Sequence, residues 1–276
     1  MKQNNQVLLY DDYCPLCSWY SGMFVKYGLL KAENRVPFSR ADIGVLTTID
    51  IEKAKDEIPL FDKEEQTTLY GIDSLLEILS WKMPVIKSIG NIPPIKWFLK
   101  KFYKFISYNR KVIVAKKCGT GVFDCSPFFS FPYRILFMIV FLVFNSFMLI
   151  PLHQNLLDKF SFYHLSLAQL QFAHASLVIV NFTIASFLKP KRAIEYLGQV
   201  NMLALIAILL LIPLMLINSF FNLSLWFAVT YLSTLTIFIV KEYFRRMKYA
   251  NVFAGHKPII VINLICLAAF LSYVFH

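Results

Sequence analysis

Acid is scarcest where this chain is most basic. Asp and Glu number 17 against 28 Lys and Arg, and between Ile78 and Phe123 ten cations stand with no acid at all. Histidine is missing before His153, which excludes mixed Cys/His metal sites from the N-terminal half. Cysteine is sparse and odd in number: Cys14, Cys17, Cys118, Cys125 and Cys266, with one closely spaced pair. That excludes a secreted disulfide framework. No long apolar stretch precedes Asp11-Asp12. Only Val7 to Tyr10 follows a polar start, so a secretory leader is not expected. Beyond about Pro132 it is charge that disappears, and long apolar runs take over.

Those runs set the organisation: a soluble α/β head over residues 1–128 and an α-helical, multi-pass membrane region over 129–276. With 57% hydrophobic residues and a mean hydropathy of +0.56, the chain is too apolar for an ordinary soluble protein. Five segments read as spans: 135–152, 168–188, 198–217, 221–240 and 258–275. Each is roughly 18–21 residues, or about 27–31 Å at a rise of about 1.5 Å per residue. None holds Asp, Glu, Lys or Arg, which removes the usual mark of an ion path. Lys189, Lys191 and Arg192 follow the second span. Lys241, Arg245, Arg246, Lys248 and Lys257 follow the fourth. Basic loops favour the cytoplasmic side, and five spans then put the head in the cytoplasm and His276 outside, in an integral plasma-membrane protein.

The acid-free stretch interleaves its cations with Trp97, Phe98, Phe102, Tyr103, Phe105 and Tyr108. Pro93-Pro94 opens it as a helix start does, and Ile95, Phe98, Leu99, Phe102 and Phe105 recur at helical spacing. A basic helix over about 93–117, next to a span, is expected to lie on anionic lipid headgroups rather than on nucleic acid.

In the head, Gln6–Tyr10 reads as a buried strand, Asp11–Leu16 as a turn and Cys17–Leu30 as a helix with an apolar stripe. Strands follow at Arg35–Phe38, Ile58–Phe61 and Thr67–Tyr70, with a loop and helix over Ala41–Lys55 and a helix over Ile72–Trp81. That order is thioredoxin-like. Cys14 and Cys17 therefore sit where a strand gives way to a helix. Free N–H groups and the helix dipole there favour a thiolate on Cys14, and Cys17 is placed to resolve a mixed disulfide. Pro15 fits a first-turn position. A zinc half-site, needing Cys118 and Cys125 as the other half, and an inert pair are the competing readings. Pro59 reads either as a cis-proline facing the dithiol or as an ordinary strand-start proline.

Tyr10-Asp11-Asp12-Tyr13-Cys14-Pro15-Leu16-Cys17 resembles the opening motif of the DCC family of thiol–disulfide oxidoreductases, Asp-x-x-Cys-x-x-Cys after a strand. Phe38-Ser39, the segment Tyr70–Leu79, Ile92-Pro93-Pro94 through Tyr108-Asn109-Arg110, and Cys125-Ser126-Pro127 resemble later family segments, so the likeness covers about residues 6–127. Where the family has Asp-Gly, this chain has Asp11-Asp12. The resemblance implies dithiol exchange with a protein or small-molecule disulfide and no cofactor or metal. Asp11 then reads as a proton relay to Cys17 or as a turn former. Arg110 reads as a partner of the thiolate or of Asp11, or as a lipid-facing residue. Cys118 and Cys125 read as a second redox pair or as two reduced thiols.

In the spans only Cys266 is a thiol, which argues against a cysteine relay across the membrane. His174, with Asn181 on the same face, reads as a quinone or proton site or, with Asn145, Asn201 and Asn263, as interhelical hydrogen bonding. The leading functional reading is a membrane-anchored thiol–disulfide oxidoreductase facing the cytoplasm. The alternative is a non-catalytic docking module on a membrane protein that binds a lipid, quinone or partner.

Overall fold

The computed structural model describes residues 5–116, 127–160, 163–221, 223–252 and 257–275. The chain forms two compact units, Met1–Tyr133 and Arg134–His276.

The first unit is built on a four-stranded mixed sheet: β1 (Gln6–Tyr10), β2 (Arg35–Pro37), β3 (Pro59–Asp62) and β4 (Thr67–Tyr70). The strand order is β2-β1-β3-β4, with β1–β2 parallel and the other two pairs antiparallel. β1 and β3 are buried along their whole length. The alternation of β1 divides the core in two. Val7 and Leu9 pack with Phe38, Leu46, Ile49 and Phe61, whereas Leu8 and Tyr10 pack with Leu30, Ile58, Leu60 and Ile78. Helices cover both faces, as in a thioredoxin-like fold: α1 (Pro15–Lys26), α2 (Ile43–Thr48), α3 (Ile51–Asp56), α4 (Ile72–Ser80), α5 (Pro84–Gly90) and α6 (Pro93–Val114).

Element ends depart from the sequence reading for local reasons. α1 closes at Lys26 rather than Leu30, because Gly28 turns left-handed at φ 61° and its N–H bonds the Val25 carbonyl. The segment 41–55 holds two short helices, each started by an aspartate: Asp42 accepts from the Gly44 N–H and Asp50 from the Lys53 N–H. β3 begins at Pro59 because the Ile58 N–H donates to the Tyr103 hydroxyl at 2.8 Å instead of entering the ladder. α5 is unanticipated. α6 ends at Val114, followed by Ala115 at φ 49°.

The second unit holds α7 (Phe131–Asn155, which starts at the boundary), α8 (Leu167–Ser186), α9 (Pro190–Phe220), α10 (Leu225–Tyr249) and α11 (Lys257–Phe275). The first four are long and apolar enough to cross a membrane, and the apolar helix Pro258–Tyr273 is shorter. Four asparagines and two tyrosines of these helices bond between helices. Asn145 donates to Asn201, Asn201 to the Met138 carbonyl, Tyr196 to Asn181, and Asn263 to both Tyr196 and Tyr243.

Candidate dithiol site

The site begins with the turn that leaves β1. The Asp11 carboxylate accepts the Tyr13 and Cys14 N–H groups at 3.0 and 3.2 Å. This Asx-type turn delivers Cys14 to the N-cap of α1 with extended backbone (φ −92°, ψ 109°). Pro15 follows as the first helical residue, exposed, where its missing N–H costs nothing. The turn accommodates Asp12 without a left-handed backbone, and Asp12 accepts the Ser39 hydroxyl at 2.8 Å. Ser39 is thereby tied to the cysteine motif.

Cys17 lies one turn into α1, close enough for its backbone N–H and thiol to act on the Cys14 sulfur. Cys14 is 7% exposed and Cys17 4%. The two are free thiols. Arg110, far along α6, reaches the same place. One guanidinium nitrogen lies 3.7 Å from Cys17 Sγ, and the other donates to the Lys55 carbonyl at 2.8 Å and stands 3.8 Å from Asp11 Oδ2. Arg110 is 8% exposed. Asp11, Cys14, Cys17 and Arg110 thus form one cluster, although Arg110 is 93 residues from Cys17.

The electrostatics separate the two thiols. The hydrogen bond from the Cys17 thiol, then the Cys17 N–H and the Arg110 charge, bring Cys14 down to about 6 against the opposing effect of burial. Donating that bond, together with burial, pushes Cys17 up. Burial raises Asp11 despite Arg110 and the two N–H groups. The cluster therefore favours a thiolate on Cys14 while Cys17 keeps its proton.

Two tyrosines belong here that the sequence reading placed elsewhere, Tyr20 in the apolar stripe of the first helix and Tyr103 among the aromatics of the basic helix. Tyr20 lies beside Cys17 with its hydroxyl held protonated by burial, and Tyr103, held likewise, feels both Cys17 and Arg110. The legible signal is spacing: Tyr20 is three residues beyond Cys17, and Tyr103 is two helical turns before Arg110. Pro59 is different. No cis peptide occurs among the described residues, and Pro59 is the first residue of β3, paired with Tyr70. Of the two readings of Pro59, its place in the ladder is that of the strand-start proline. Cys118 and Cys125 lie outside the described residues.

α6 is held to its unit by charge as well as by packing. Lys96 and Lys100 pair with Asp73, and Lys104 with Glu57. These three lysines are thus committed to the first unit, where the sequence reading had them facing lipid.

Residues 8–116 match the family model described as DCC1-like thiol-disulfide oxidoreductase. The match contains Cys14 and Cys17, runs through Arg110 to the end of α6, and is followed by the apolar helices. No curated protein and no solved structure matches the chain.

Proposed function

We propose that the DCC1-like domain over residues 8–116 is a dithiol–disulfide oxidoreductase working at a membrane surface, with Cys14 as nucleophile and Cys17 as resolving thiol. The observation that carries this reading is Arg110, brought from α6 to within 3.7 Å of Cys17 and 3.8 Å of Asp11. An inert buried pair needs no cation. A pair that must pass through two thiolates does.

The Cys14 thiolate attacks one sulfur of a substrate disulfide. A Cys14–substrate disulfide forms, the substrate S–S bond breaks, and the leaving thiolate takes a proton from solvent. Cys17 then gives its proton to Asp11, whose carboxyl burial already raises, and Arg110 stabilises the second thiolate. Cys17 attacks Cys14, a Cys14–Cys17 disulfide closes, and the second substrate thiolate leaves. Two electrons have passed from the dithiol to the substrate, and a more oxidising partner drives the same steps backward. The substrate class is a protein or small-molecule disulfide.

Cys17→Ser tests this directly. It should leave a mixed disulfide on Cys14 that accumulates and is released by reductant, and Cys14→Ser should trap nothing. Equal trapping by the two variants sinks the proposal.

The charge pattern supports a cytoplasmic head. In the second unit Arg134 at the start of α7 pairs with Glu195 in α9, and Arg246 near the end of α10 bonds Gln199. The start of α7 and the basic loops before α9 and after α10 therefore share one end of the bundle, the end expected to face the cytoplasm. Lys101, Lys111 and Lys116, which make no ion pair among the described residues, are the cations of the α6 region left to meet anionic headgroups.

A further inference from the structure

Helix α6 has two faces with different tasks. Tyr103, Ser107 and Arg110 serve the dithiol unit, and Ser107 donates to the Asp56 carbonyl. The opposite face holds Trp97, Phe98 and Phe102, exposed at 65%, 59% and 52%, with the Phe98 and Phe102 rings stacked at 6.1 Å. These positions and Lys101 between them follow i, i+1, i+4 and i+5, so they form one stripe. Val85 and Ile89 of the preceding α5 are also exposed. A soluble domain rarely leaves so many large apolar side chains together in water.

We propose that this face inserts into the interfacial layer of the phospholipid bilayer that holds the apolar helices, and that aromatic partitioning rather than lysine charge keeps it there. Three observations favour lipid over a second copy of the chain. The chain itself carries four helices able to cross a membrane, so a bilayer is always its neighbour. The first of them begins at Phe131, with only 16 residues between it and the end of α6 at Val114. Lys101 stands in the middle of the stripe and has no carboxylate partner among the described residues. A twofold self-contact would oppose two Lys101 ammoniums, whereas lipid phosphates accept them and the apolar stem adds to the insertion. Trp and Phe are suited to that layer. Arg110 lies 13 residues along α6 from Trp97, about 20 Å at about 1.5 Å per residue. The dithiol would then be held a fixed, short distance from the lipid surface.

This inference rests on membrane integration and not on thiol exchange, so the two fail separately. The test uses the full chain in vesicles, with Trp19, Trp81 and Trp226 replaced by Phe so that Trp97 alone emits. Phosphatidylcholine brominated near the headgroup end of its acyl chains is the quencher. Trp97 emission should be blue-shifted and quenched at least twofold, equally with and without phosphatidylglycerol. It should remain so in about 1 M NaCl, where the Debye length is about 3 Å. Water-like, unquenched emission overturns the proposal. So does quenching that requires the anionic lipid and is lost in salt, and so does a shift that depends on the protein-to-lipid ratio, which means a second copy. Should the triple Phe variant misfold, Trp97→Phe in the otherwise native chain must remove most of the shallow quenching, and retention of that quenching overturns the proposal equally. A Cys14→Ser chain should quench like the parent whether or not it exchanges thiols.

Discussion

Cys14 is buried yet acidic, and these two facts pull in opposite directions. Burial alone would raise a thiol. The Cys17 thiol, the Cys17 N–H and Arg110 together outweigh it and bring Cys14 to about 6. The rate of Cys14 alkylation by a small neutral reagent should therefore rise through about pH 6 and level off near pH 8, instead of rising through the ordinary thiol range near 9. Cys17→Ala removes the largest of the three contributions and should move the midpoint up by more than Arg110→Gln, which removes a charge. An unchanged midpoint in both variants would sink this account of the site. The cysteine pair and Asp11 were legible in the sequence because they share one turn, and the turn forces their proximity. The placement of Arg110 was not readable from spacing, since nothing local tells a helix which of its cations turns inward. It became an open choice only through the Asn109-Arg110 ending that resembles the family. Tyr20 was missed because a tyrosine in an apolar stripe reads as core until its hydroxyl is seen to face something polar, and Tyr103 because it reads as one more aromatic among the cations of the basic helix.

Elements were legible where a strong local rule governs them. β1 is a continuous apolar run before a turn, and α6 opens on Pro93, so both starts match the reading. Ends set by tertiary contact were not legible: β3 starts one residue late because Tyr103 takes the Ile58 N–H. Two residues with left-handed backbone give opposite predictions. Gly71 caps α4 at φ 58°, ψ −122°, and an added Cβ would come within 3.0 Å of Glu57 Oε2 and 3.2 Å of the Tyr103 ring. Gly71→Ala should cost about 1–3 kcal/mol, because backbone strain and crowding act together. Ala115 caps α6 at φ 49° and already bears that strain, so Ala115→Gly should gain up to about 1 kcal/mol. Thermal unfolding of the full chain in detergent distinguishes the signs, and a gain from Gly71→Ala or a loss from Ala115→Gly contradicts the strain account. The Asp73 pair with Lys96 and Lys100 adds a pH dependence. Against its partial burial, the lysines hold the Asp73 carboxyl below its usual value. Its contribution is thus present above about pH 4 and fades as pH falls through the lowered value.

At the scale of the whole molecule, the question is which side of the membrane the dithiol faces, and charge and geometry bear on it independently. Lys189 caps α9 with Lys191 and Arg192 in its first turn, and Arg245, Arg246 and Lys248 end α10. The Arg134–Glu195 and Arg246–Gln199 contacts gather these ends with the start of α7, which is where the first unit joins the chain. The proposed cytoplasmic head rests on this shared end of the second unit, and within that proposal only the expected position of His276 depends on whether α11 crosses. A membrane-impermeant maleimide applied to intact cells should leave Cys14 unmodified and should label it after permeabilisation, with the site read by peptide mapping. His276→Cys should label in intact cells if α11 spans and should behave like Cys14 if it does not. Labelling of Cys14 in intact cells would reverse the orientation and place the exchange on the outer face. With Cys266 the only thiol in the apolar helices, electrons collected by Cys14 and Cys17 have no thiol path across the bilayer. Disulfide exchange should therefore saturate in sealed vesicles at the amount of substrate on the head's side. Turnover of substrate confined to the other side would require a carrier within the membrane unit.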